Sequence, residues 1–175
     1  LSQIVTGVTM AEAGEVVLKG CKVNHVTAAD FIEKNVSHIP EDRNRMGLVG
    51  NMTVEENLLL KSTQNCAFCD LNGWHLKKKP MRAYAEKMRA KYDIRCQSMD
   101  QEIRSLSGGN QQKVILAREL EASPDLLVAV HPTRGLDIGA TRYVRDSMIA
   151  ARDAGCAVLL ISADFDEVLQ MSDRI

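Results

Sequence analysis

Two uninterrupted apolar runs, at residues 126–130 and 157–161, most constrain how this chain folds. Apolar residues at every position, rather than at every second one, are typical of strands that are buried on both faces of a parallel sheet. Residues 140–154 separate the two runs and place Val144, Met148 and Ala151 at helical spacing. A strand, a helix and a second strand in this order predict an α/β fold with a mainly parallel sheet.

Shorter patterns predict further elements along the chain. Thr53 and Glu56 form a capping box that begins a helix ending at Leu60. Asp164 and Glu167 are predicted to cap a final helix in the same way. The other predicted elements are strand fragments at 14–20 and 22–23, a helix at 28–34, a strand at 36–39, a loop at 62–80 and a basic helix at 81–92.

Residues 106–113, Leu-Ser-Gly-Gly-Asn-Gln-Gln-Lys, lie directly before apolar residues at helical spacing. Ser107 and Asn110 are good capping residues, and Gly108 and Gly109 leave the backbone bare, so another molecule can approach it closely. The unpaired N–H groups and the positive dipole end of a helix start suit an anion, and a phosphate most of all. Taken alone, the same residues are also typical of a loop and a helix cap without a ligand.

This octapeptide resembles the signature loop of ATP-binding-cassette (ABC) ATPases, and other motifs of that family occur in the expected order. Residues 126–137 resemble the Walker B strand running into the D-loop, and residues 39–58 resemble the Q-loop region. The spellings PEDR, GLV, ENLLL, LSGGNQQK and PTRGLDIGA are similar to the second cassette of importers for simple sugars and nucleosides. The resemblance covers nearly the whole chain.

The resemblance implies an α/β core of the ABC-ATPase type, which is similar to P-loop NTPases, together with a helical subdomain. Residues 1–44 and 122–175 are expected to form the core, and residues 45–121 the helical subdomain that carries the signature loop. No Gly-x-x-x-x-Gly-Lys-Ser/Thr sequence occurs, and the chain opens on Leu1 instead of methionine. We therefore expect an excerpt that begins after the phosphate loop, with a core that lacks the phosphate-loop strand.

Several positions inside the chain depart from the family pattern. Val130 and His131 match the positions of the magnesium-binding aspartate and of the glutamate that polarises the attacking water. Ala163 matches the switch histidine, and Glu41 matches the Q-loop glutamine. A valine cannot hold Mg²⁺, which prefers hard oxygen ligands. We expect no catalytic and no metal-binding residue, and no hydrolysis of ATP by this chain alone; a general base at His131 is the alternative.

The resemblance also implies that two cassettes pair head to tail, with each ATP between the phosphate loop of one and the signature loop of the other. Ser107, Gly108, Gly109 and Asn110 are then expected to contact ATP, and the other cassette to hold Mg²⁺ and the catalytic glutamate. Asp137 is expected to position the phosphate loop of that cassette. A helix cap is the simpler role for Asp137, and the two roles are compatible.

Composition excludes some classes of function. The formal net charge of −1 gives no general attraction to nucleic acid. The one basic cluster, at residues 77–91, has only Tyr84 and Tyr92 nearby, whereas a nucleic-acid site favours interleaved aromatic residues. We expect a solvated helix face there, near anionic lipid headgroups.

The cysteines and the hydropathy pattern bear on location. The chain has five cysteines, an odd number, and no secretory segment, which favours a reducing, cytosolic setting. Cys66 and Cys69 form an isolated CxxC, which we interpret as a loop with two thiols, with a metal or redox site as the alternative. No apolar run approaches the ~20 residues that span a bilayer. Membrane attachment is therefore expected to come through a partner.

These patterns predict a nucleotide-binding-domain fragment of an importer for simple sugars or nucleosides. It would act at the cytoplasmic side of the membrane with a second cassette and membrane permease subunits, and indirectly with a solute-binding protein. Two alternatives stay open: a soluble ABC ATPase that acts on ribosomes or DNA, and a degenerate cassette with a purely structural or regulatory role.

Overall fold

A computed structural model describes residues 1–23, 27–62, 67–69 and 76–175, and a parallel sheet lies at its centre. The strands β1 (Val17–Leu18) and β2 (Cys21–Lys22) form a small hairpin, and β3 (Val36–Ile39), β4 (Leu126–Val130) and β5 (Ala157–Ile161) form the parallel sheet. In that sheet β4 lies between β3 and β5, with Leu127 opposite both Ser37 and Val158. The prediction of two parallel strands is confirmed, and β4 is buried as expected. The predicted burial of β5 is wrong, because this strand has only one neighbouring strand among the described residues and its side chains are exposed or half-buried.

The described part of the chain contains six α-helices. They are α1 (Ala28–Glu33), α2 (Val54–Leu59), α3 (Lys78–Lys91), α4 (Gly108–Leu120), α5 (Ile138–Asp153) and α6 (Phe165–Met171), with a π-helical turn at Arg43–Gly47 and a 3-10 turn at Ile103–Ser105. Among the described residues, no helix combines the length and the hydropathy of a membrane-spanning segment.

Local capping residues determine where several helices begin. The Thr53 hydroxyl accepts the Glu56 N–H, and the Glu56 carboxylate accepts the Thr53 N–H at 2.8 Å, so the predicted capping box is confirmed. Asp164 caps α6 through the Glu167 N–H, as predicted. The predicted reciprocal role of Glu167 is wrong, because its carboxylate is buried and accepts the Thr133 hydroxyl at 2.8 Å.

Two predicted boundaries are also wrong. α3 begins at Lys78, inside the predicted loop, because Pro80 falls in its first turn, where a missing N–H removes no helical hydrogen bond. The strand fragment at 14–20 shortens to β1, since Lys19 and Gly20 form the turn of the hairpin with φ of 51° and 77°. The Asn72-Gly73 pair of the predicted loop lies outside the described residues.

α4 lies at the centre of the packing, against α2, α5 and β3. Its residues Val114, Ile115 and Leu116 are fully buried. They belong to one hydrophobic cluster that joins the sheet, at Leu127, to the helical part of the chain, at Leu58. The cluster thus crosses the expected boundary between the α/β core and residues 45–121, and that division stays a prediction.

A buried carboxylate joins α4 to the sheet. Glu119 is 1% exposed, and its Oε2 accepts the N–H of His38 in β3 at 3.0 Å and contacts Lys61. Its Oε1 accepts the Nε–H of Arg118 at 3.0 Å. Burial alone raises the pKa of Glu119, but the ion pairs with Lys61 and Arg118 outweigh it and hold this pKa below its usual value.

We expect Glu119→Ala to lower the free energy of unfolding by about 3 kcal/mol, because it leaves the buried ends of Lys61 and Arg118 without their anion. The matched control is Asp125→Ala, which removes a half-exposed ion pair with Lys19 at 2.6 Å and is expected to cost at most about 1 kcal/mol. Urea unfolding followed by circular dichroism measures both changes. Equal losses from the two variants would contradict the role given to Glu119.

The depressed pKa of Glu119 also predicts a pH dependence. Its contribution to stability is fully present above the usual pKa of 4.5 and is lost as the pH falls through the lower pKa of the folded state. The difference in unfolding free energy between the native chain and Glu119→Gln should therefore shrink at pH values below 4.5. A difference that stays constant from neutral pH into this acidic range would show that the carboxylate charge is not involved.

Candidate nucleotide-binding site

The signature loop, residues 106–113, is held in one conformation by its own polar side chains. Ser107 is the N-cap of α4, and its Oγ accepts the backbone N–H of Asn110 at 3.4 Å and the side-chain amide of Asn110 at 3.0 Å. The Oδ1 of Asn110 accepts the N–H of Arg95 at 2.9 Å. Both predicted capping residues therefore stabilise the start of the helix.

The backbone N–H groups of Gly108 and Gly109 are the first two amides of α4. They donate to no group in the part of the chain that the structure describes. The Ser107 hydroxyl accepts two hydrogen bonds and, among the described residues, donates none. Three donors are thus available at the positive end of a 13-residue helix, which is an arrangement that favours an anion.

Both glycines of the loop have close neighbours within the chain. A Cβ on Gly108 would lie 2.7 Å from Nη2 of Arg43, and a Cβ on Gly109 would lie 3.0 Å from the Cβ of Ala140. The sequence predicts that another molecule approaches the bare backbone of these glycines. On the Cα side, that space is instead occupied by Arg43 and Ala140 of the same chain. The amide edge of the two glycines stays available to a ligand.

Four of the five predicted site residues line one cleft of about 430 Å³: Ser107, Gly109, Asn110 and Asp137. The fifth, Gly108, lies beside the cleft and faces Arg43. Asp137 caps α5, because its Oδ1 accepts the Ala140 N–H at 2.8 Å. The structure therefore brings the signature loop and the end of the D-loop, residues 131–137, together, and the capping role expected for Asp137 is confirmed.

The cleft contains two cations that the sequence analysis did not identify, Arg95 and Lys113. Lys113 is neutralised by Asp93, with 2.6 Å between Nζ and Oδ2, and it lies 4.7 Å from the centre of the Tyr143 ring. The hydrogen bond from Lys113 lowers the pKa of Asp93, so this carboxylate stays charged at neutral pH. Arg95 lies 3.7 Å from the same carboxylate and has an 80% exposed side chain. Arg95 is thus the less neutralised of the two cations.

Two of the positions that depart from the family pattern, His131 and Ala163, line a second cleft, of about 640 Å³. His131 follows β4 with φ of 46°, and its N–H donates to the Ile161 carbonyl at 2.8 Å. Its Nδ1 accepts the N–H of Ala163 at 3.2 Å, which places the proton of a neutral ring on Nε2. Across the described residues, no group of three or more His, Cys, Asp or Glu side chains is arranged to hold a metal ion.

The loop after β3 binds the D-loop at two points. The Glu41 carboxylate forms an ion pair with the Arg134 guanidinium, 2.5 Å away, so the charge that replaces the Q-loop glutamine is compensated within the chain. Nη1 of Arg43 donates to the Arg134 carbonyl at 3.0 Å. Arg43 belongs to the PEDR spelling, but the carbonyl to which it donates lies 91 residues away along the chain. No local sequence pattern therefore indicates this contact.

Two buried glutamines of the signature helix are further residues that the sequence analysis missed. The side-chain amide of Gln112 donates to the Pro132 carbonyl in the D-loop at 2.9 Å. The side-chain amide of Gln111 donates to the Ile103 carbonyl at 3.2 Å. Because buried polar groups are normally hydrogen bonded, these two residues fix α4 against the D-loop and against the 3-10 turn before it.

Much of the basic cluster on α3 is paired with acids. Arg82 contacts Glu55 and Asp100, and Lys91 lies 2.5 Å from Glu121. These pairs reduce the net positive charge that a nucleic acid or a lipid surface would encounter. Of the CxxC pair, Cys66 lies outside the described residues, and Cys69 is buried.

Comparisons with known proteins identify the family of the chain. The model of the ABC transporter family matches residues 1–134. The guanosine import ATP-binding protein NupO of Bacillus subtilis (strain 168) is 41% identical over 175 residues, which are 100% of this chain and 34% of that protein. The glucose import ATP-binding protein TsgD13 of Haloferax volcanii is 39% identical over 177 residues, which are 100% of this chain and 32% of that protein. The chain thus spans about a third of the length of these relatives.

Solved structures show the same fold. A nucleotide-free ATP-binding cassette from an ABC transporter superposes with a TM-score of 0.75 at 22% identity, over 98% of this chain and 68% of that one. A dimeric cassette in a post-hydrolysis state with ADP and Pi superposes with a TM-score of 0.73 at 20% identity, over 95% of this chain and 69% of that one. The predicted fold class, an α/β core of the ABC-ATPase type, is confirmed. With the family model matching most of its residues, the chain belongs to the ABC transporter family.

Proposed function

We propose that this chain is part of the second cassette of an importer ATPase for nucleosides or simple sugars. Within that ATPase it supplies the signature loop to an ATP site that another cassette completes. The names of its relatives, which are import ATP-binding proteins for guanosine, nucleosides and glucose, support this class of solute. The transported solute itself is selected by other subunits of the importer.

The unused donors of the signature loop are the observation that carries this proposal. The amides of Gly108 and Gly109 and the hydroxyl of Ser107 are rigidly held and have no acceptor among the described residues. Donors that are already in place stabilise phosphate charge without reorganising when that charge develops. ATP is the substrate that these donors fit, with its γ-phosphoryl oxygens as the acceptors.

The other cassette is proposed to supply the groups that this chain lacks. Val130 has no oxygen ligand for Mg²⁺, and Ala163 has no side-chain polar atom for a phosphate. The phosphate loop, the magnesium ligands and the catalytic glutamate would thus lie on the other cassette, where Mg²⁺ neutralises charge on the phosphates. The residues of this chain would bind and orient the nucleotide at its γ end, through Ser107, Gly108, Gly109 and Asn110, while Asp137 positions the opposing phosphate loop.

Residues 45–121 are proposed to be a helical subdomain that docks a membrane permease, with residues 1–44 and 122–175 as the ATPase core. This places the chain at the cytoplasmic side of the membrane as a peripheral subunit, with a solute-binding protein as an indirect partner. The ion pairs of Arg82 and Lys91 lower the net positive charge of α3, which favours a protein partner over a ribosome or DNA.

We expect Ser107→Arg in the full-length ATPase, assembled with its permease, to reduce steady-state ATP hydrolysis at least about 100-fold, since the larger side chain fills the position of the phosphate. A phosphate-release assay on the reconstituted importer measures this loss. Ser98→Arg is the matched control, because Ser98 is exposed and outside the cleft, and it should retain normal turnover. Normal turnover in Ser107→Arg would mean that the signature loop has no working role.

We expect this chain, purified alone, to release no phosphate from ATP over multiple turnovers, because Val130 and His131 replace the residues that hold magnesium and polarise water. A colorimetric phosphate assay with the intact importer as positive control makes the measurement. Sustained release by the isolated chain, proportional to its concentration, would contradict the division of labour between the two cassettes.

A further inference from the structure

The guanidinium of Arg43 lies where three loops meet. Arg43 is the first residue of the π-helical turn that follows β3. Its Nη1 donates to the carbonyl of Arg134 in the D-loop at 3.0 Å. Its Nη2 lies 2.7 Å from the position of a Cβ on Gly108 and 3.9 Å from the position of a Cβ on Gly135. A single side chain therefore spans the gap between the signature loop and the D-loop.

The turn that contains Arg43 does not need this guanidinium in order to form. The Asp42 side chain caps the turn by accepting the N–H groups of Asn44 and Arg45 at 3.0 and 3.1 Å. Gly47, at its end, is held from α4 through the Arg118 guanidinium, which donates to the Gly47 carbonyl at 2.8 Å. The contacts of the Arg43 guanidinium are thus directed away from its own segment.

The guanidinium is also incompletely bonded. Its Nε is shielded from solvent and has no acceptor among the described residues. Arginine carries five N–H donors, and a buried donor without an acceptor is unfavourable. The contacts that fix the side chain of Arg43 are therefore those of Nη1 and Nη2.

We propose that Arg43 is a positioning residue that sets the spacing between the signature loop and the D-loop. This inference rests on the proposed function and deepens it. The planar guanidinium fork donates to Arg134 with one nitrogen and covers Gly108 with the other, whereas the single ammonium of a lysine cannot occupy both places. Arg43 thereby holds the amides of Gly108 and Gly109 in register with Asp137, so that both loops meet the nucleotide of the other cassette together.

The test uses the full-length ATPase in its permease complex, with Arg43→Ala, Arg43→Lys and the surface control Arg152→Ala, whose guanidinium pairs with its neighbour Asp153. We expect Arg43→Ala to lower kcat for ATP by about 10- to 100-fold, the loss that a displacement of about 1 Å can cause. The KM for ATP should stay within about twofold of the value for the unmodified protein, because the other cassette holds most of the nucleotide. The thermal midpoint should fall by no more than about 2 °C.

The lysine variant and the Ser107→Arg variant make each outcome decisive. Arg43→Lys should recover little of the lost kcat, and Arg152→Ala should match the unmodified protein. Unchanged kcat in Arg43→Ala, together with loss of turnover in Ser107→Arg, overturns the role of Arg43 and leaves the proposed function standing. A joint fall of kcat and thermal midpoint that Arg43→Lys restores shows a merely structural contact and overturns it too. Normal turnover in Ser107→Arg removes both proposals.

Discussion

A charged group inside the molecule fixes the helix on which the candidate site depends. Glu119, near the end of α4, accepts the backbone N–H of His38 in β3, and Lys61 and Arg118 compensate its charge. An uncompensated carboxylate at this depth would cost several kcal/mol, so the pairs and the hydrogen bond are needed together. α4 has 13 residues and is therefore about 20 Å long. Its C-terminal end is attached to the sheet in this way, and the opposite, N-terminal end carries Gly108 and Gly109.

The start of α4 is held by loops from distant parts of the chain. Gln112 donates to the D-loop at Pro132, and Arg43 donates to the same loop at Arg134. Asp137 then caps α5 beside Gly109. The positions of the amides are thus set before any nucleotide is present, which is the condition under which fixed donors stabilise charge most effectively. The binding surface can be intact while the catalytic side chains are missing, because the two depend on different residues.

Sequence patterns predicted what depends on local chemistry. The apolar runs indicated β4 and β5, although only β4 is central in the sheet and buried as that pattern predicts. Thr53 and Glu56 satisfy each other within one turn. The start of α3 differs from the prediction because Pro80 is typical of loops, although the first turn of a helix also tolerates proline. Glu119 and Arg43 bond to partners 81 and 91 residues away, so no local pattern contains their roles. The sequence also predicted the loop residues of the cleft. It did not predict Arg95, which the fold brings beside Asn110.

In the proposed function, the amides of Gly108 and Gly109 face a phosphate that another cassette holds. The decisive measurement is a structure of the full-length assembly trapped with a non-hydrolysed ATP analogue. We expect a γ-phosphoryl oxygen within about 3.2 Å of at least one of these two amide nitrogens. An assembly in which this edge of α4 faces solvent, with no phosphoryl oxygen within hydrogen-bond distance of either amide, would contradict it.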